Sequence, residues 1–177
     1  MKLKIGVVTS RFNDEVTSKL EAGAIGYLES FQEADIEIWA VRVPGAVEIP
    51  LAAKALLQKG CDGVVTCGAV IRGETTHYEL VCNSVERGVT QLMLETGKPI
   101  GFGVITVEND EQAADRCGGK HGNKGTEAAQ VCLEMIGLLD SLKRAPKTLK
   151  KSALPGSKTP KSKAVKGVAK VLKRKKS

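Results

Sequence analysis

Gly63-Val64-Val65-Thr66-Cys67-Gly68-Ala69-Val70-Ile71-Arg72-Gly73-Glu74-Thr75-Thr76-His77-Tyr78-Glu79-Leu80-Val81 is the stretch whose reading decides the fold. Residues 63–71 are apolar almost without interruption, the pattern of a strand buried on both faces. The run stops at a turn of Arg, Gly, Glu and two Thr. From residue 76 to about 95, Tyr78, Val81, Cys82, Val85, Val89, Leu92 and Met93 recur at helical spacing. A doubly covered strand running into a helix specifies a parallel sheet, because crossover helices are what cover both faces of such a strand.

The same alternation extends in both directions. Residues 4–9 predict a first strand, and Asn13 is placed to cap a helix with Val16, Leu20, Ala24, Tyr27, Leu28 and Phe31 on one face. Residues 35–41 alternate Ile36, Ile38 and Ala40 with their neighbours, as a second strand does. After a loop at 43–45, a second helix turns Ile49, Ala52, Ala53, Leu56 and Leu57 inward, with Pro50 tolerated in its first turn. Residues 99–107 predict the fourth strand and 111–116 a short helix. A final helix over 126–143 is expected to bury Ala128, Val131, Cys132, Met135, Leu138, Leu139 and Leu142. The class is α/β: a three-layer α/β/α sandwich around a four-stranded parallel sheet. Four strands make a small sheet for this class, so neighbouring copies are expected to cover what one chain leaves open.

Bulk properties narrow the function classes. At 177 residues and 42% hydrophobic content, one domain with a real core is expected. No stretch approaches the roughly 18 consecutive apolar residues of a membrane span. Met1-Lys2-Leu3-Lys4-Ile5 enters strand pattern directly, so no leader is expected and the cytoplasm is the predicted compartment. The five cysteines are odd in number and lack close pairs, which argues against a disulfide framework or a metal site. Charge divides the chain. Residues 146–177 hold twelve Lys/Arg and no acid, whereas 1–145 hold 15 basic and 20 acidic residues. The expectation is a mildly acidic domain over 1–145 and a basic, disordered tail over 146–177, in which Val165, Val168, Ala169 and Leu172 could form a basic amphipathic helix against a partner.

In open α/β sheets, ligands bind where strands end and helices begin, and helix N-termini there favour anions. Three strand exits carry candidate chemistry. At the first, Phe12 either stacks on a flat heterocycle or folds back onto the core. At the second, Glu48 either suits a helix N-terminus or accepts hydrogen bonds from a ligand. At the third, Glu74 and Thr75 offer N–H and hydroxyl donors suited to phosphate. His77 beside them is either a helix-start residue or a general acid/base, since its reference pKa lies near neutrality. Arg72 fits a structural ion pair better than an anion site, and a Cys82–His77 dyad is conceivable. Inside the fourth strand, Phe102 lies between two glycines, either in the core or on a pocket wall. Arg116, Lys120 and Lys124 surround a Gly-rich segment that breaks the P-loop pattern at Asn123 and Gly125. These features point to an enzyme acting on a small phosphorylated molecule.

Five ordered segments carry a closer likeness: Ser10-Arg11-Phe12-Asn13, Val43-Pro44-Gly45-Ala46-Val47-Glu48-Ile49-Pro50, residues 68–81, Phe102-Gly103 with Glu108-Asn109, and Gly122-Asn123-Lys124-Gly125. Over roughly residues 3–143 the chain resembles the 6,7-dimethyl-8-ribityllumazine synthase family, and the tail has no counterpart in the usual family pattern. The resemblance implies a flavodoxin-like fold. It implies condensation of 5-amino-6-(D-ribitylamino)uracil with 3,4-dihydroxy-2-butanone 4-phosphate, releasing phosphate and water, in riboflavin biosynthesis and without metal or organic cofactor. By position, Phe12 would stack on the pyrimidine, and Ala46, Val47 and Glu48 would hold the ring and ribityl chain with Ala69, Val70 and Ile71. Glu74, Thr75 and Arg116 would bind the phosphate, His77 would be the acid/base, and Phe102 would contact the uracil. Lys124 and Glu127 would lie near the reacting groups. Many relatives place an aromatic where Val47 stands.

The resemblance further implies a homo-pentamer with each site shared between neighbours: Phe12, Glu48 and His77 from one chain, Phe102 and Arg116 from the next. The compact connection from Cys117 to Lys124 resembles that of members whose twelve pentamers close an icosahedral shell of 60 chains. Two other functions compete. One is a nucleic-acid-associated scaffold using the tail for non-specific polyanion binding; the other is a ligand carrier that has lost turnover. In a shell, the tail could instead recruit acidic cargo, including riboflavin synthase.

Overall fold

A computed structural model describes residues 2–143. The expected domain boundary, the basic tail and its amphipathic helix fall outside the described residues.

The elements follow the predicted alternation. They are β1 (Lys2–Ser10), α1 (Asp14–Ser30), β2 (Asp35–Val43), α2 (Ile49–Gln58), β3 (Gly63–Ile71), α3 (His77–Thr96), β4 (Ile100–Val107), α4 (Asp110–Arg116), β5 (Cys117–Gly119), β6 (Gly122–Asn123) and α5 (Lys124–Lys143). A single 3₁₀ turn, Ala46–Glu48, precedes α2. The main sheet has order β2-β1-β3-β4 and every pairing in it is parallel, which is the flavodoxin-like arrangement. β3 is central, and all of its residues but Ile71 are buried. β5 and β6 form a small antiparallel ribbon.

Alternation along β1 and β3 divides the core in two. Leu3, Ile5 and Val7 with Val65, Cys67 and Ala69 face α1 and α5, against Leu20, Ala24, Leu28, Cys132 and Ile136. Val8, Val64 and Val70 face α2 and α3, against Ile49, Ala53, Leu56, Val85 and Val89. These clusters are the two interfaces of the α/β/α sandwich. Arg42 on β2 fastens α1 to the sheet margin through Asp14 at 2.7 Å and through Glu21.

Two expectations change. Asn13 does not cap α1 with its side chain: it adopts a left-handed backbone (φ 61°), and its amide donates to the Ala69 carbonyl at 2.9 Å instead. The N-terminus of α1 is thereby tied to the end of β3. In α5, Ala128, Ala129, Cys132, Leu133 and Ile136 are buried, but Val131, Met135, Leu138 and Leu142 are exposed. The helix is apolar around much of its circumference, so spacing alone cannot identify which stripe meets the sheet. Close approach decides it. A Cβ on Gly101 would come within 2.0 Å of the Ala128 carbonyl oxygen, and one on Gly125 within 1.9 Å of that of Leu20. Glycines at those two points let α5 settle onto β4 and α1, which fixes its rotation.

Gly101→Ala is expected to destabilise the domain by about 1–3 kcal/mol or more, because backbone rather than a flexible side chain must yield. Chemical denaturation checks this, and an unchanged midpoint would mean that α5 is free to shift.

Candidate active site

The strand exits converge because parallel strands place all their carboxyl ends on one rim. There the chain is tied together. The Arg11 N–H donates to the Val43 carbonyl at 2.8 Å and the Phe12 N–H to that of Pro44 at 3.1 Å, lashing the exits of β1 and β2. Asn13 adds the tie to β3. Phe12 is left 72% exposed, so it does not fold back onto the core; its ring stands at the rim.

Beside it, the 3₁₀ turn buries Ala46 and leaves Val47 45% exposed. One Glu48 carboxylate oxygen accepts the Gly45 N–H at 2.8 Å. That bond satisfies the local backbone and holds the carboxylate in place, leaving acceptor capacity for another group. Ala69 and Val70 bury their side chains on opposite faces of the sheet, while Ile71 is half-buried at the strand's end. Toward a ligand at the rim, Ala69 and Val70 therefore offer chiefly backbone.

Glu74, Thr75 and His77 are all exposed in the β3–α3 connection. The Thr75 hydroxyl accepts the His77 N–H at 3.3 Å, a long bond at the helix entry. His77 is the first residue of α3, so its imidazole sits at the end where backbone N–H groups are unpaired. Arg72, next door, is committed elsewhere: its guanidinium meets Glu108 at 2.6 Å and Glu79 at 2.5 Å and lies 4.0 Å over the Tyr78 ring. The two carboxylates raise its pKa, led by the hydrogen bond to Glu79. The ion-pair expectation for Arg72 is thus met.

Three expected residues sit on other elements. Phe102 is 42% exposed on the sheet's margin, paired in register with Thr66 and five positions before the end of β4. At strand rise, that is about 16 Å below the rim. Arg116 ends α4, half-buried, and donates to the Gln112 carbonyl at 3.0 Å. Lys124 opens α5 with its ammonium on both carboxylate oxygens of Glu127, at 2.8 and 2.7 Å. Of the three cations around the Gly-rich segment, Lys120 also has an acidic neighbour, Asp115, at 3.9 Å. One chain thus carries Phe12, Val47, Glu48, Glu74 and Thr75 on the connections that leave β1, β2 and β3, and His77 at the start of α3, whereas Phe102 lies within β4, Arg116 ends α4 and Lys124 opens α5.

Asn13 and Asn123 have roles that residue type alone does not disclose. Asn123 accepts the N–H groups of Gly125 and Thr126 at 2.9 and 3.2 Å, while its amide donates to the Lys19 carbonyl at 2.8 Å. The Gly-rich segment thus starts α5 and locks it to α1. The available signal was an Asn directly after Gly122 at the start of a helical pattern.

Comparison with known proteins bears on the family of the chain. The family model described as 6,7-dimethyl-8-ribityllumazine synthase matches residues 2–140. A protein named 6,7-dimethyl-8-ribityllumazine synthase from Bdellovibrio bacteriovorus is 65% identical over 147 residues, covering 83% of this chain and 81% of the relative. One of the same name from Pediococcus pentosaceus is 49% identical over 146 residues, covering 81% and 92%.

The Cys82–His77 dyad has poor chemistry. Burial raises the Cys82 thiol pKa above its ordinary value, and five positions along a helix turn two side chains well away from each other. Burial pushes Cys67 and Cys132 up to about 12. A short alkylation pulse at pH 8 should therefore spare Cys67 and Cys132 until denaturant is added, and modify half-buried Cys82 first but slowly. Peptide mapping reads this, and rapid Cys82 alkylation at pH 7 would restore the dyad.

Proposed function

This chain belongs to the 6,7-dimethyl-8-ribityllumazine synthase family and is an enzyme of riboflavin biosynthesis; from that premise we propose how its residues divide the work. The reaction joins 5-amino-6-(D-ribitylamino)uracil to 3,4-dihydroxy-2-butanone 4-phosphate. The amine attacks the ketone and water leaves to give an imine. Phosphate is eliminated to an enol that tautomerises to a ketone, and the ribitylamino nitrogen closes the ring on that ketone with loss of a second water. Each stage moves protons and none requires an enzyme nucleophile, so an oriented pair of substrates and one well-placed acid/base account for much of the acceleration.

His77 is that acid/base. Phe12 stacks on the pyrimidine, and Glu48, with the backbone of Ala46 and Val47 and of Ala69, Val70 and Ile71, holds the ring and ribityl chain. Glu74, Thr75 and Arg116 receive the phosphate, while Phe102 lines the uracil pocket beside Lys124. The observation that carries this reading is the exposure of Phe12, next to a fixed Glu48, on the rim that ends in His77. Val47 gives weaker edge packing than an aromatic, but the backbone contacts do not depend on it.

The site is completed by a second copy. Phe102 stands about five residues of strand below its own rim, which suits contact with a neighbour's rim better than with its own. The exposed stripe Val131, Met135, Leu138 and Leu142 on α5 is an apolar face that a neighbouring copy would cover. We read the assembly as a pentamer and, from the compact β5–β6 connection, as twelve pentamers in a shell of 60. Five free thiols suit a reducing cytoplasm. Among the described residues, no helix is long and apolar enough to cross a membrane. The tail, with twelve basic residues and no acid, is a polyanion-binding appendage to a separate domain over 1–145, with acidic riboflavin synthase cargo as the alternative. Steep salt dependence of nucleic-acid binding, lost on truncation at Ala145 while turnover persists, supports the former.

Mixing both substrates with the purified protein should yield lumazine absorbance together with released phosphate; tight lumazine binding without turnover would make it a carrier. His77→Ala should slow condensation by roughly 10²–10⁴-fold, less if the uncatalysed reaction of amine and ketone contributes. Arg116→Ala should raise KM for the butanone phosphate by about 10- to 100-fold, the worth of a charged hydrogen bond. An unchanged rate or an unchanged KM, respectively, would remove that residue from its assigned role.

A further inference from the structure

The turn that carries His77 has few supports of its own. Residues 72–76 are exposed, and the Thr75 hydroxyl and Thr76 carbonyl reach the first helical N–H groups only at 3.3 and 3.4 Å. Arg72 makes up for this. Its N–H donates to the Val107 carbonyl at 2.9 Å, carrying the β3–β4 ladder one step past the strand. Its guanidinium then joins three elements: Nε on Glu108 after β4, Nη1 on Glu79 in the first turn of α3, and its plane over the ring of Tyr78. Tyr78 and Glu79 immediately follow His77. Glu108 in turn has its N–H on the Gln112 side chain at 3.0 Å, so the far end of the clamp is anchored to α4.

We infer that Arg72 is a positioning residue for the condensation: it clamps the first turn of α3 against the ends of β3 and β4 and so fixes where the His77 imidazole stands. This rests on His77 being the acid/base. Exposed ion pairs of this kind contribute little to stability singly. Their value here is orientation, because a planar fork that meets two carboxylates and stacks on a ring permits few geometries. Lysine retains the charge but not that geometry. A misplacement of about 1 Å in an acid/base group can cost on the order of 10²-fold in rate.

The test is a double-mutant cycle in steady-state kinetics on the full chain. Arg72→Gln should lower kcat about 10- to 100-fold with KM for both substrates changed by less than about 3-fold. Arg72→Lys should recover only part of that loss. In a His77→Ala background the Arg72→Gln penalty should vanish, since no imidazole remains to be positioned. Thermal melting of each variant checks that the fold is retained. An equal Arg72→Gln penalty with and without His77 would overturn the proposal, as would wild-type kcat in Arg72→Gln. A selective rise in KM for the phosphorylated substrate would overturn it by making Arg72 a phosphate ligand. If His77→Ala alone runs at the wild-type rate, the acid/base assignment fails first, and the single-variant comparison shows that separately.

Discussion

Burial of β3 on both faces is the constraint from which the rest follows. Eight consecutive residues, Gly63 to Val70, are out of water; residues 63–67 pair with β1 and residues 64–70 with β4. Helices must then lie over both faces, each strand must return through a crossover, and all exits must emerge along one rim. The polar groups displaced from the core collect there, including every rim residue assigned to substrate. Site and fold are one consequence of the same burial.

The rim is ordered by polar ties rather than by packing. Asn13 joins the exit of β1 to β3, the Arg11 and Phe12 amides join it to β2, and Glu48 closes its own turn on Gly45. These bonds are individually modest, yet together they keep an aromatic face in water at 72% exposure. Such exposure is unfavourable unless something flat or apolar covers the ring. The stacking proposed for the pyrimidine requires a ring that is free in this way.

Much of this was legible in the residues. The uninterrupted run of β3, the alternation in β2 and the helical spacing in α2 and α3 each reported burial directly, because periodicity records which side is dry. It could not report what does the covering. Val131, Met135, Leu138 and Leu142 read as inward because they are apolar, and only the close approach at Gly101 and Gly125 turns the other stripe to the sheet. Asn13 read as a cap because its type favours caps; a bond 56 residues away leaves no local trace. The choice between core and ligand for Phe12 was open in sequence, and its exposure removes the core alternative. Phe102 is legible as a residue but not as a member of the rim, since its distance from that rim depends on register.

The central claim is that catalysis needs groups from two touching chains: His77 from one and the Arg116 cation from the next. Co-expressing His77→Ala and Arg116→Ala chains tests it most directly, with turnover measured at butanone phosphate concentrations well below KM. In a ring with heterologous contacts, random mixing should rebuild up to about a quarter of the sites intact, giving activity far above that of either variant alone. Activity no higher than the average of the two separate variants would contradict a shared site.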